Sequence, residues 1–233
     1  VALAAVGPGG TFGIKAAASV AEAFMLLLLV VALARRRLPV GRLAIYAWSP
    51  LIISEVCVSG HLDAFVLPTI TLALLLAERE RAALAGGLIG AAALMKLYPL
   101  LLLFALPHKS LSRTCAAMLA VIATVYAIYA LPVGIRVLGF LPDYVRTGED
   151  FNLGLRGFLE SALSPWLPHA RVVAMALCGL LLIAALIWLF ERGGDDVFAK
   201  AGAVALAYLV FLPTAGHPWY ALWLVPFMAV HAL

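Results

Sequence analysis

The stretch Phe24-Met25-Leu26-Leu27-Leu28-Leu29-Val30-Val31-Ala32-Leu33-Ala34, followed at once by Arg35-Arg36-Arg37, decides the fold class. Its apolar residues run on without the period-two alternation that a membrane β-strand requires, so it reads as helix. Extended back to residue 15, the run is long enough to cross hydrocarbon. The arginine triplet then marks the cytoplasmic end of a span. The same texture recurs along the chain: 65% of the 233 residues are hydrophobic and 12% are charged, with a mean hydropathy of +1.09. A soluble domain carries roughly 25% charged residues. The predicted fold is therefore all-α, a polytopic integral membrane helical bundle forming one transmembrane domain over residues 1–233.

The apolar segments run over about 15–34, 43–59, 62–77, 82–95, 97–107, 113–134, 171–190, 197–214 and 219–233. Several fall short of the roughly 20 residues needed to cross ~30 Å at 1.5 Å per residue. They are either re-entrant pieces or spans in a thinned or notched protein. Non-helical backbone at that depth is tolerated only beside a polar cavity or inside protein. The chain opens at Val1 without a basic n-region and closes at Leu233 within an apolar run, which predicts a fragment of a longer protein rather than a signal peptide. Residues 135–170 are predicted to form an extracytoplasmic loop holding an amphipathic interfacial helix.

Basic residues set the sidedness. Arg35, Arg36, Arg37 and Arg42, then Arg79 and Arg81, Lys109 and Arg113, and Arg192 and Lys200 all fall on the cytoplasmic side when spans alternate. Four polar clusters then share the opposite face: Gly60-His61-Leu62-Asp63, Lys96-Leu97-Tyr98-Pro99, Glu149 to Arg156, and Gly216-His217-Pro218-Trp219-Tyr220. Ionisable groups in or beside spans are costly and mark places where something polar is handled. Each cluster also has a plainer reading. Asp63 could N-cap the next helix, Lys96 could snorkel to the interface, and Trp219 and Tyr220 belong to any aromatic belt. If Lys96 does not snorkel, it needs an anion: Glu55 as the most economical partner, Asp63, or a ligand phosphate. Asn152 and Arg156 are placed over a cavity mouth, where arginine could take a phosphate bidentately. The +4 net charge reflects loop residues, with no basic and aromatic patch for nucleic acid. Cys57, Cys115 and Cys178 lack metal or disulfide spacing and read as free thiols.

Tyr46-Ala47-Trp48-Ser49-Pro50-Leu51 and Ser59-Gly60-His61-Leu62-Asp63-Ala64 resemble the first motif block of glycosyltransferase family 87, a GT-C family of polyprenol-phosphate-mannose-dependent mannosyltransferases and their bacterial relatives. Leu84-Ala85-Gly86, Ala93 to Leu100, Phe151-Asn152 and His217-Pro218-Trp219-Tyr220 are similar to its later blocks, in order, over roughly 40–233. The resemblance implies a GT-C-like bundle in a bacterial plasma membrane, its cavity on the extracytoplasmic side. There it would transfer a hexose, mannose above all, from a polyprenyl-phosphate-sugar donor to a lipid or glycan acceptor. His61, Asp63, Lys96, Tyr98, Asn152, Arg156, His217, Trp219 and Tyr220 become the candidate substrate-binding residues. The catalytic base is expected in an outer loop upstream of the first span, with Asp63 as the fallback. No cofactor is implied. No Asp-x-Asp pair supports a metal-dependent nucleotide-sugar enzyme, although a divalent ion is left open. A secondary transporter or lipid flippase is the alternative, since broken helices and intramembrane charges suit that class too.

Overall fold

The computed structural model describes residues 11–139, 152, 154–192, 196–212, 214 and 216–231. Every regular element among them is helical. Helix α1 covers Thr11–Arg35. Two short helices, α2 (Leu43–Ala47) and α3 (Pro50–Ile52), lead into a π-helical turn at Ile53–Val58, with a bend of 49° between 40–47 and 50–58. Then come α4 (Asp63–Ala77), α5 (Ala82–Met95), a 3-10 segment at Tyr98–Ala105 and α6 (Leu111–Val133). Helices α7 (Leu155–Leu163), α8 (Ala170–Glu191) and α9 (Val197–Val210) follow. A last 3-10 turn, Pro218–Leu224, runs into α10 (Val225–His231).

Among the described residues three helices are long and apolar enough to span a membrane: 13–35, 108–138 and 170–191. A fourth span is reached if the bent pair counts as one. The breaks have local causes. Pro50 opens α3 at its first position, where a missing N–H costs nothing. Gly60 has φ +70°, a backbone that a side chain would strain, and it turns the chain back into α4. Lys96 is extended (φ −148°, ψ 143°), and Pro99 restarts the chain as 3-10 helix.

Helix α4 is the hub, with Ala64, Val66, Leu67, Ile70, Ala73 and Leu74 all buried. A helix that is apolar all round belongs in the middle of a bundle. Helix α5 meets α6 backbone to backbone. A Cβ on Gly86 would lie 2.1 Å from the Thr114 carbonyl oxygen, and one on Gly90 2.7 Å from that of Met118. This is close packing through small residues, as membrane helices use.

The basic segments do share one end. Arg36 pairs with Glu78 and with Asp196 at 3.4 Å and lies over the Phe198 ring. His231 reaches Asp196 at 3.5 Å, Arg42 donates to the Val230 carbonyl, and Lys109 pairs with Glu80. Residues 134–138, whose last four were expected in the loop, are 3-10 helix following directly on α6. Helix α7 falls within the remainder of the expected 135–170 loop. Asp143, Tyr144, Arg146, the stretch 149–151 and Leu153 lie outside the described residues.

The glycine contacts set a test. Gly86→Ala should lower the midpoint of thermal unfolding in detergent by several degrees, because overpacking a tight contact costs about 1–3 kcal/mol. Gly87→Ala, whose Cβ would meet only Val121 at an ordinary 3.7 Å, should leave it nearly unchanged.

Candidate functional site

The site is built where three chain breaks meet. Asp63 is the first residue of α4, yet it makes no cap bond and Leu62 precedes it in helical geometry. Its side chain turns inward and is 0% exposed. Capping is therefore not its role. Oδ2 accepts from Lys96 Nζ at 2.6 Å, and Oδ1 accepts from Trp223 Nε1 at 2.7 Å. Lys96 reaches Asp63 because α5 stops at Met95 and the extended backbone throws the side chain across to α4. Trp223 arrives from the last 3-10 turn.

The expected Glu55–Lys96 pair is corrected. Glu55 Oε2 faces His61 Nε2 at 3.4 Å, because the turn at Gly60 folds the His61 N–H onto the Glu55 carbonyl. Lys96 instead meets the more deeply buried carboxylate, where opposite charges attract most strongly. His61 thus stands between two carboxylates, its Nδ1 3.7 Å from Asp63 Oδ2.

Aromatic rings close the arrangement. His61 lies 5.4 Å from Trp219 between ring centroids, and His217 stacks on Trp219 at 4.2 Å and 6°. Tyr220 stacks on Trp223 at 4.6 Å; in a 3-10 turn residues three apart eclipse, which places one ring over the other. Tyr98 covers the opposite face of this column at 3.6 Å from Trp223. Lys96 Nζ sits 5.8 Å from the centroids of both Tyr220 and Trp223. The structure therefore brings His61, Asp63, Lys96, Tyr98, His217, Trp219 and Tyr220 into one continuous set of contacts. The Lys96 side chain is 23% exposed and that of His61 30%, so these two face outward while Asp63 does not.

Asn152 and Arg156 join the same end differently. The Asn152 amide donates to the Leu212 and Thr214 carbonyls at 3.1 and 2.6 Å and its oxygen accepts from the Gly154 N–H. It clamps the segment that leads to His217. Arg156, expected with Asn152 over a cavity mouth, does border a cavity beside Asn152, but its side chain is held inward. Arg156 is 2% exposed, with Nη1 2.9 Å from Glu160 Oε2, because a guanidinium buried this deeply needs a counter-charge. Both Asn152 and Arg156 border a cavity of about 530 Å³ with Phe158, Ser161 and Ser164.

The family model of Glycosyltransferase family 87 matches residues 1–229. The chain belongs to glycosyltransferase family 87. No curated protein matches it, and no solved structure does. Family membership makes it a transferase of sugars, which displaces the transporter alternative.

Two parts of the arrangement escape the reading of the sequence. Trp223 receives no role there, although its spacing from Trp219 and Tyr220 places all three on one short 3-10 segment. Glu22, a lone acid in the first apolar run, is buried in α1 and accepts the Tyr46 hydroxyl at 2.9 and 3.1 Å. Its isolation in so apolar a run is itself a signal of a partnered group. The Tyr98 hydroxyl is buried and makes no hydrogen bond among the described residues.

Removing one partner of a buried ion pair leaves an uncompensated charge and costs about 3–5 kcal/mol. Lys96→Met should therefore destabilise the protein strongly. Adding Asp63→Asn to it should restore much of the loss, as read by thermal unfolding in detergent.

Proposed function

We propose that this glycosyltransferase takes a hexose, mannose above all, from a polyprenyl-phosphate-sugar donor. It passes the sugar to a lipid or glycan acceptor at the extracytoplasmic face of a bacterial plasma membrane. The observation that carries this reading is a partly exposed lysine anchored on a fully buried carboxylate, with two histidines and a tyrosine beside it at one end of the bundle. Asp63 uses one Lys96 proton, so the other two are available to an anion arriving from outside.

The chemistry gives each group a task. The acceptor hydroxyl attacks the anomeric carbon and loses its proton to a base, and the carbon–oxygen bond to the lipid phosphate breaks with its electron pair on the phosphate. Charge grows on that phosphate, so donors aimed at it act mainly in the transition state. Lys96 and His217 take this role. His61, turned by Glu55, contacts a sugar hydroxyl, while Trp219 and Tyr220 offer apolar faces. Asp63 and Tyr98 hold the others in place, since both Asp63 oxygens are engaged and Tyr98 is enclosed. Asn152 fixes the approach to His217, and Arg156 braces α7. The base is assigned, on the family resemblance, to an outer loop upstream of α1. Membrane lipids surround the bundle; no cofactor or nucleic acid is assigned a part, and a divalent ion is left open.

Membranes supplied with labelled polyprenyl-phosphate mannose and lipid acceptors test this, with chelator and divalent-ion arms. Lys96→Gln and His217→Ala should each lower kcat on the order of 10²–10³, with much smaller changes in donor binding. Wild-type protein that forms no product with any polyprenyl-phosphate hexose would overturn the reading. The side of action is tested separately in a chain with Cys57, Cys115 and Cys178 replaced. Leu62→Cys and Leu97→Cys, at exposed positions beside the site, should react with an impermeant reagent from outside. Val40→Cys, exposed near the basic end, should react from inside.

A further inference from the structure

We infer that Trp223 is a positioning residue for the transfer reaction, setting how far the Lys96 ammonium stands toward the donor phosphate. The inference rests on the proposed role of Lys96. The geometry behind it is independent of which sugar is moved.

A fully buried carboxylate needs its charge divided among donors, because leaving a buried acceptor unmade costs more than making the bond gains. Asp63 divides it in two directions. Trp223 Nε1 takes Oδ1 at 2.7 Å and Lys96 Nζ takes Oδ2 at 2.6 Å. The third facing group, His61, stands farther off, at 3.7 Å from Oδ2. The indole bond therefore leaves Lys96 on a single oxygen. Without it Oδ1 has no donor, and the ammonium is drawn inward to bridge both oxygens. The outward reach that leaves the lysine side chain 23% exposed would be lost.

The indole ring is itself fixed, between Tyr98 at 3.6 Å and Tyr220 at 4.6 Å, with Tyr208 at 5.3 Å. Its ring packing and its N–H can be separated experimentally, because phenylalanine keeps a ring in the stack and deletes the donor. A residue that only packs would lower stability by the same amount whatever stands at position 96. A residue that acts through Lys96 matters only while Lys96 is a cation.

The test is a double-mutant cycle in the full-length enzyme with labelled polyprenyl-phosphate mannose. Trp223→Phe should reduce donor kcat/KM by about tenfold in the native background and by less than about twofold in the Lys96→Gln background, the non-additivity expected of coupled neighbours. Equal losses in both backgrounds would reduce Trp223 to packing and overturn the inference. Should Trp223→Phe fail to fold, benzothienylalanine at 223 replaces the N–H by sulfur in a ring of the same shape. It should reproduce the loss, and full activity with it also overturns the inference. Lys96→Gln at the wild-type rate would instead overturn the reading of Lys96 itself. A slow Lys96→Gln beside a fully active Trp223 variant would remove only the positioning role of Trp223.

Discussion

A carboxylate with no exposure inside a membrane bundle is the constraint from which the rest of this site follows. Asp63 must be neutralised in place, since moving an isolated charge out of water costs far more than any single packing contact returns. Its two oxygens demand donors from two directions, and the chain meets that demand with residues 33 and 160 positions away. For Lys96 to reach it, α5 must end at Met95. Trp223 reaches it from the 3-10 turn at Pro218–Leu224. The irregular backbone at this end, set locally at Gly60 and Pro99, lets three segments meet on one acid.

The same logic explains why so many helices are short. A segment of 14 or 15 residues, as in α4, α5 and α9, does not cover the hydrocarbon thickness alone. Its end opens into polar structure instead, and here those ends converge. The bundle holds its shape where breaks are absent: small residues let α5 and α6 touch backbone to backbone, and α4 is buried on every face but the stripe Phe65, Thr69, Leu72 and Leu76. At the opposite end Arg36, Glu78, Asp196 and His231 tie together the ends of α1, α4, α9 and α10. One end is stapled by surface charges and the other is organised round a buried one.

Division of labour within the site follows from burial. Asp63 and Tyr98 are enclosed and shape the positions of others. Lys96, His61 and the His217, Trp219 and Tyr220 group stand at the open side, where a charged donor could meet them. Glu22 and Tyr46 form a second enclosed acid and hydroxyl pair between α1 and α2, so buried carboxylates of this fold find donors of more than one kind. In the proposed reaction negative charge grows on a leaving phosphate, and an anchored, outward-facing ammonium is suited to stabilising it.

The fold class was legible in the sequence because membrane helices are written in local composition: apolar runs, arginines at their ends, and glycine or proline where they break. The nine expected segments match the observed elements within a few residues, apart from the helical continuation through 134–138. The residues of the clusters were legible too, since His61, Asp63, Lys96 and His217 are conspicuous in so apolar a chain. Which of them meet was decided by tertiary structure. Along the chain Glu55 is the more economical partner for Lys96 and Asp63 the alternative; the reversal at Gly60, which gives Glu55 to His61, leaves Lys96 to Asp63. Arg156 reads as an open cation until the fold buries it against Glu160. Trp223 carries no signal along the chain; only the folded 3-10 turn aims its N–H at an acid 160 residues earlier. Composition reports how much each residue costs to bury; only the packed chain decides which neighbour offsets that cost.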